Sequence, residues 1–349
     1  MRRIIVKKAL ILFTFFSVVG MVVFGLHNFY SQGGGIIPEE ISQKSSISIE
    51  RFRTLSHEMQ IRALDDMSNI QNFDTVWSFL KSAYPDEPPS KHDLSHKLGE
   101  IAIKELGLDG FGRCDTFLNF GCFHGAALAA IRFHGEQPLL GEGLWEACRR
   151  SSPFPGNCLH GLGHAIMVIK QYNLLKAYEE CERFLNSDES FWCQDGVTME
   201  NITRSMIDSE SEPYGSDEDP YYPCNSIPQK YEAVCVRNHI GFLQRNFGFN
   251  LEEMVAFCLS FKEEQTRQEC ISMIGSQDAE VLYDDPEAVI EHCRKSGAYF
   301  RFCIFGAVTN FSMTKRFAYA EQLCATFLNI EDQSACLNRI QSFRSQQNF

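Results

Sequence analysis

Five of the 10 histidines fall in three short motifs: His92-Asp-Leu-Ser-His96, Cys122-Phe-His124-Gly125 and Cys158-Leu-His160-Gly-Leu-Gly-His164. Two of these are i, i+4 pairs, so on helices each places both imidazoles on one face, one turn apart. Imidazole nitrogen is a ligand for Zn, Cu or Fe, and a divalent ion takes three or four N or O donors. Two such pairs with His124 and one carboxylate would supply them. Asp195 is the candidate carboxylate, because it stands two positions after Cys193 as His124 and His160 stand two after Cys122 and Cys158. A positive helix end opposes protonation of His124 and His160 and keeps them able to coordinate. If the ion were to activate water or oxygen, Glu200, Glu100 or Asp93 would be the proton carrier. Neither pair reads H-E-x-x-H, since position two is Asp93 or Gly161, so a zincin protease is not indicated. The same five rings also admit a polar pocket without metal, or unrelated structural roles. His27, His57, His134, His239 and His292 read as ordinary surface or core residues.

The elements that must position these side chains are marked by cysteine. The 14 cysteines form consecutive pairs: Cys114 with Cys122, Cys148 with Cys158, Cys181 with Cys193, Cys224 with Cys235, Cys258 with Cys270, Cys293 with Cys303 and Cys324 with Cys336. Members of a pair are 8 to 12 positions apart. The second members recur at intervals of 36, 35, 42, 35, 33 and 33 residues, a period that suits stacked helical hairpins. Apolar residues at i, i+3 and i+4 favour helix, and strand-like alternation is scarce. Each unit therefore reads as a helix ending in its first cysteine, a polar loop, and a helix opening at its second. A disulfide within each pair has the right reach across such a hairpin and stabilises by roughly 2–3 kcal/mol. Free buried thiols are the alternative; zinc clusters are disfavoured because no C-x-x-C occurs. Equivalent positions in stacked units form a row on neighbouring helices, which is what would bring His124, His160 and Asp195 together. Glycines at 125, 161, 196 and 306, three after the second cysteine, would let adjacent helices approach closely; the position is Asn238, Met273 and Arg339 in the other units. The longest interval contains an acidic insertion, 207–223, expected as a solvated loop.

The Cys114-x7-Cys122 spacing with Gly121 before the second cysteine, and the 33–36 residue period, resemble the disulfide-stapled Sel1-like repeats of cysteine-rich secreted proteins, relatives of the tetratricopeptide repeat. That resemblance implies a right-handed αα-solenoid binding proteins, peptides or glycans on its concave face.

Arg2, Arg3, Lys7 and Lys8 precede an uncharged apolar run from Ala9 to Leu26. The pattern predicts a membrane signal anchor over 9–30 with the basic segment 1–8 in the cytoplasm and the remainder in a periplasmic, extracellular or lumenal compartment, where disulfides persist. A cleaved signal peptide is the rival, but the apolar run is long for one and no A-x-A-like site follows. Residues 31–48 read as a flexible linker, 49–107 as N-terminal helices that include His92 and His96, and 108–345 as the seven cysteine-paired repeats. With 45 acidic residues against 32 basic ones and a net charge of −13, nucleic acid is not an expected partner. The expectation is thus an all-α, single-pass membrane protein whose outer αα-hairpin array carries a histidine and carboxylate pocket for a divalent metal. A metal-free scaffold for a protein or peptide ligand is the alternative. The two differ in whether the five imidazoles converge.

Overall fold

A computed structural model describes residues 47–135, 145–146, 148–149, 155–183, 187–207 and 218–347. The expected anchor at 9–30, nearly all of the linker, and residues 208–217 of the acidic insertion lie outside the described residues. No described helix is long and apolar enough to cross a membrane. The chain divides into two units, Met1–Arg51 and Phe52–Phe349. In the first, the Ser48 hydroxyl accepts a hydrogen bond from the Arg51 amide (3.2 Å) as a short helix, α1 (Ile49–Arg53), begins.

The second unit is all-α, with no strand among the described residues. Two helices, α2 (His57–Ser68) and α3 (Phe73–Ala83), lead into α4 (His92–Leu106), α5 (Gly121–His134), α6 (Pro155–Ile169), α7 (Leu174–Cys181) and α8 (Ser187–Ile207). The second half holds α9 (Glu232–Phe242), α10 (Leu251–Leu259), α11 (Glu264–Val281), α12 (Pro286–Arg294), α13 (Phe300–Met313), α14 (Phe317–Cys324) and α15 (Ile330–Gln347).

All seven expected pairs are bridged. Cys114 is joined to Cys122, Cys148 to Cys158, Cys181 to Cys193 and Cys224 to Cys235. Cys258 is joined to Cys270, Cys293 to Cys303, and Cys324 to Cys336. Their Cα separations are 5.4 to 5.7 Å. No free thiol is left among the described residues, which removes the alternative of unpaired buried cysteines.

Four of the bridges close hairpins of two α-helices. Cys193 opens onto α8 opposite the end of α7, and Cys270, Cys303 and Cys336 lie in α11, α13 and α15, opposite α10, α12 and α14. Each first cysteine sits at or next to the end of its helix. Three of the four leading helices start on an Asn or Asp whose side chain accepts a backbone N–H in the first turn: Asn173, Asn250 and Asp285. Such caps satisfy donors that the helix leaves open. Two units depart from this plan. Cys114 follows a 3₁₀ segment, Gly107–Arg113, whose three glycines weaken an α-helix, and Cys224 opens a 3₁₀ turn flanked by Pro223 and Pro228, residues that cannot continue one.

α4 packs on α5, and from α5 onward the helices bearing second cysteines pack in chain order, α5 on α6, α6 on α8, α8 on α9, then α11, α13 and α15. Three apolar clusters follow one another along this series, around Phe123 and Leu162, around Tyr178 and Tyr231, and around Phe257 and Phe311. The ends of the series also meet. Glu87 is ion-paired with Lys315 through one carboxylate oxygen and accepts the Leu118 amide with the other (3.1 Å), and Met313 packs into the first cluster.

Close backbone contact sets the helix spacing where the histidines lie. A Cβ on Gly125 would stand 1.8 Å from the His96 carbonyl oxygen, and one on Gly196 would stand 1.9 Å from the His160 carbonyl oxygen. Only hydrogen fits at either position, so α4 lies directly on α5 and α6 directly on α8.

Candidate metal centre

The series brings all five clustered histidines to one place. His92 and His96 come from α4, His124 from α5, and His160 and His164 from α6. His124 is the hub: its ring centroid lies 5.3 and 5.2 Å from those of His92 and His96, and 5.1 and 4.5 Å from those of His160 and His164. Two triads result, one of His92, His96 and His124 and one of His124, His160 and His164, each offering three ring nitrogens within 4.8 Å of one another. His124, His160 and His164 are buried; His92 and His96 are partly so.

Hydrogen bonds fix which nitrogen faces inward. His160 Nδ1 lies 2.9 Å from Asp195 Oδ2, and His164 Nδ1 lies 2.9 Å from Glu200 Oε2. A carboxylate only accepts, so each ring carries a proton on Nδ1, and in its neutral form presents a bare Nε2. Those two Nε2 atoms face each other at 3.2 Å. Two bare nitrogens so placed repel unless a metal ion or a shared proton lies between them. On the other side His92 Nδ1 donates to the Leu118 carbonyl (2.8 Å), leaving its Nε2 to meet His96 Nε2 at 3.0 Å. His96 Nε2 lies 3.3 Å from His124 Nδ1. Two nitrogens bound tetrahedrally to one ion at about 2.0–2.1 Å are about 3.3 Å apart, so these separations suit metal ligation.

Electrostatics favours bare rings. Burial, followed by mutual repulsion with the other rings, pushes His96 and His124 well below the ordinary histidine range. Burial lowers His92 and His164 as well, although the Leu118 carbonyl and Glu200 respectively pull the other way. Burial opposes the charge on Asp195, yet Arg237, His160 and Asn238 outweigh it and hold the carboxyl far below its usual range.

No family model, curated protein or solved structure matches this chain. Its chemistry must be read from the site itself.

The four carboxylates singled out in the sequence have distinct surroundings. Asp195 lies behind His160, its oxygens engaged by that ring, by Arg237 Nε (3.0 Å) and by Asn238 Nδ2 (2.8 Å). Glu200 lies behind His164, with the Tyr172 hydroxyl donating to its second oxygen (3.1 Å). Glu100 pairs with Arg132 (2.8 Å) and Lys97 (3.2 Å). Asp93 is exposed, with His57 Nε2 at 3.8 Å.

Sequence reasoning missed Arg237, Asn238, Tyr172 and the Leu118 carbonyl. Arg237 had a readable signal, since it stands two after Cys235 just as Asp195 stands two after Cys193. The Leu118 carbonyl had none. It sits in a run of left-handed residues, Leu118 (φ 48°), Asn119 (φ 57°) and Phe120 (φ 63°), strained for side chains with a Cβ. The carbonyl that fixes His92 thus lies in one of the few strained stretches among the described residues.

Proposed function

We propose that this protein binds a divalent transition-metal ion through the five histidines, in an extracytoplasmic array of disulfide-stapled αα-hairpins tethered to a membrane by residues 9–30. The carrying observation is the pair of facing Nε2 atoms of His160 and His164, 3.2 Å apart, with both Nδ1 atoms hydrogen-bonded to carboxylates. The donors are all imidazole nitrogen, which suits Zn, Cu or Fe and not Mg or Ca. Asp195 and Glu200 act as hydrogen-bond acceptors that orient the rings and raise their basicity. With both carboxylates so engaged, holding the ion is the role the geometry favours over proton transfer by Glu200. Convergence of the rings favours this reading over a metal-free scaffold, which has no use for five touching imidazoles. The chain-order packing of one cysteine-paired unit on the next supports a repeat array of Sel1-like or tetratricopeptide-like layout, and the meeting of Glu87 with Lys315 supports one curled back on itself.

X-ray absorption of the metal-loaded full-length protein is the test. The expected spectrum has nitrogen-only first-sphere scattering with imidazole multiple scattering; sulfur or carboxylate oxygen as the main ligand would overturn the assignment.

A further inference from the structure

The row of positions two after each second cysteine does not stop at the histidines. It continues through Arg237 to Ser272 and Phe305, the latter two following Cys270 and Cys303, and these three line a cavity of about 700 Å³ formed by α8, α9, α11, α13 and α15. Small-molecule sites are commonly of about 300–1,000 Å³. Trp192, Phe302 and Phe305 give it aromatic walls.

The cavity holds two arginines in unlike states. Arg237 is compensated on both sides, by Asp195 (3.0 Å) and Glu269 (3.0 Å). Arg339, three after Cys336, replaces the glycine found at that place in four other units. Its guanidinium carbon lies 5.7 Å from the Phe305 ring centroid, and among the described residues it has no hydrogen-bonded or ion-paired partner. Surrounding protein and then the charge of Arg237 disfavour its protonated form, with Glu269 only partly offsetting them. Yet the residue is exposed to solvent. A guanidinium with no protein partner among the described residues, beside an aromatic ring that lines the cavity, is free to take an anion.

We propose that this cavity binds a small aromatic carboxylate, the carboxylate on Arg339 and the ring among Trp192, Phe302 and Phe305. The guanidinium fork matches a carboxylate in shape, and the nearby Glu269 selects against a second negative charge. This assignment is independent of the metal centre, from which Arg237 and Asp195 separate the cavity.

Calorimetric titration of the full-length protein with phenylacetate and 3-phenylpropionate, against their neutral amides, tests it. The acids are expected to bind saturably, about tenfold or more tightly than the amides, with a change in Trp192 emission. Arg339→Gln should remove that preference, and Arg294→Gln, at an exposed pair elsewhere, should not. No saturable binding of either acid at millimolar concentration, or equal affinity for acid and amide, overturns the proposal. Undiminished preference in a folded Arg339→Gln variant does so too; should that variant misfold, the comparison of acid with amide in the parent protein decides alone.

Discussion

His160 Nδ1 lies 2.9 Å from Asp195 Oδ2, and the two residues hold the same place, two after the second cysteine, on the adjacent helices α6 and α8. Gly196, next to Asp195, is what lets α8 come against the His160 backbone. Asp195→Asn should therefore weaken metal binding by about 10–100-fold, the usual cost of removing a carboxylate that orients a ligand histidine. It should also destabilise the protein by about 1–3 kcal/mol, because half-buried Arg237 loses one of its two carboxylates and keeps Glu269. Chelator competition and thermal melts separate the two effects: a lowered Tm with unchanged affinity would make Asp195 a structural residue only.

His124 belongs to both triads, whereas His92 lies at one edge. His124→Ala is expected to abolish high-affinity binding, and His92→Ala to leave a weakened site of His124, His160 and His164. Metal titrations of the two variants check this ranking, and equal losses would contradict a hub at His124.

Stability of the metal-free protein should fall as the medium is acidified. His92, His96, His124 and His164 have folded pKa values below their ordinary value near 6.5, so below about pH 6.5 the unfolded chain binds more protons than the folded one. The penalty is absent above that pH and grows as pH drops through it towards the depressed folded values. Urea midpoints of the apo protein from pH 8 to 5 should decline below about 6.5, and His124→Gln should flatten the decline. A midpoint independent of pH across this window would contradict neutral buried rings.

Gly125→Ala places a methyl group 1.8 Å from the His96 carbonyl oxygen if nothing moves. The helices must separate, costing about 1–3 kcal/mol and lengthening the 3.3 Å approach of His124 to His96. A lowered Tm and weaker metal binding should appear together. An unchanged melt would mean that α4 and α5 are not in backbone contact.

The cysteine spacing carried most of what the fold holds. Every pair, from Cys114 with Cys122 through Cys258 with Cys270 and Cys293 with Cys303 to Cys324 with Cys336, is bridged as its spacing suggests, because a short polar loop between two helix ends leaves few other partners in reach. Helical i, i+4 spacing likewise paired His92 with His96 and His160 with His164. What the sequence could not reveal was direction. Whether Asp195 meets an ion or stands behind a ligand depends on the rotation of α8 against α6, a matter of packing that no local pattern encodes. The Leu118 carbonyl is backbone, and its aim follows from three left-handed residues that carry no glycine or asparagine signature beyond Asn119. The pairing of Glu87 with Lys315 depends on curvature summed over the whole series.

Elemental analysis of the full-length protein, purified without chelators and compared with a His160→Ala/His164→Ala variant whose seven disulfides remain intact by peptide mapping, tests the metal centre most directly. The parent should retain at least about one equivalent of zinc, copper or iron through dialysis, given the number of imidazole donors, and the variant should lose it. A parent protein that carries no metal, and takes up none when offered each of the three, would contradict the account.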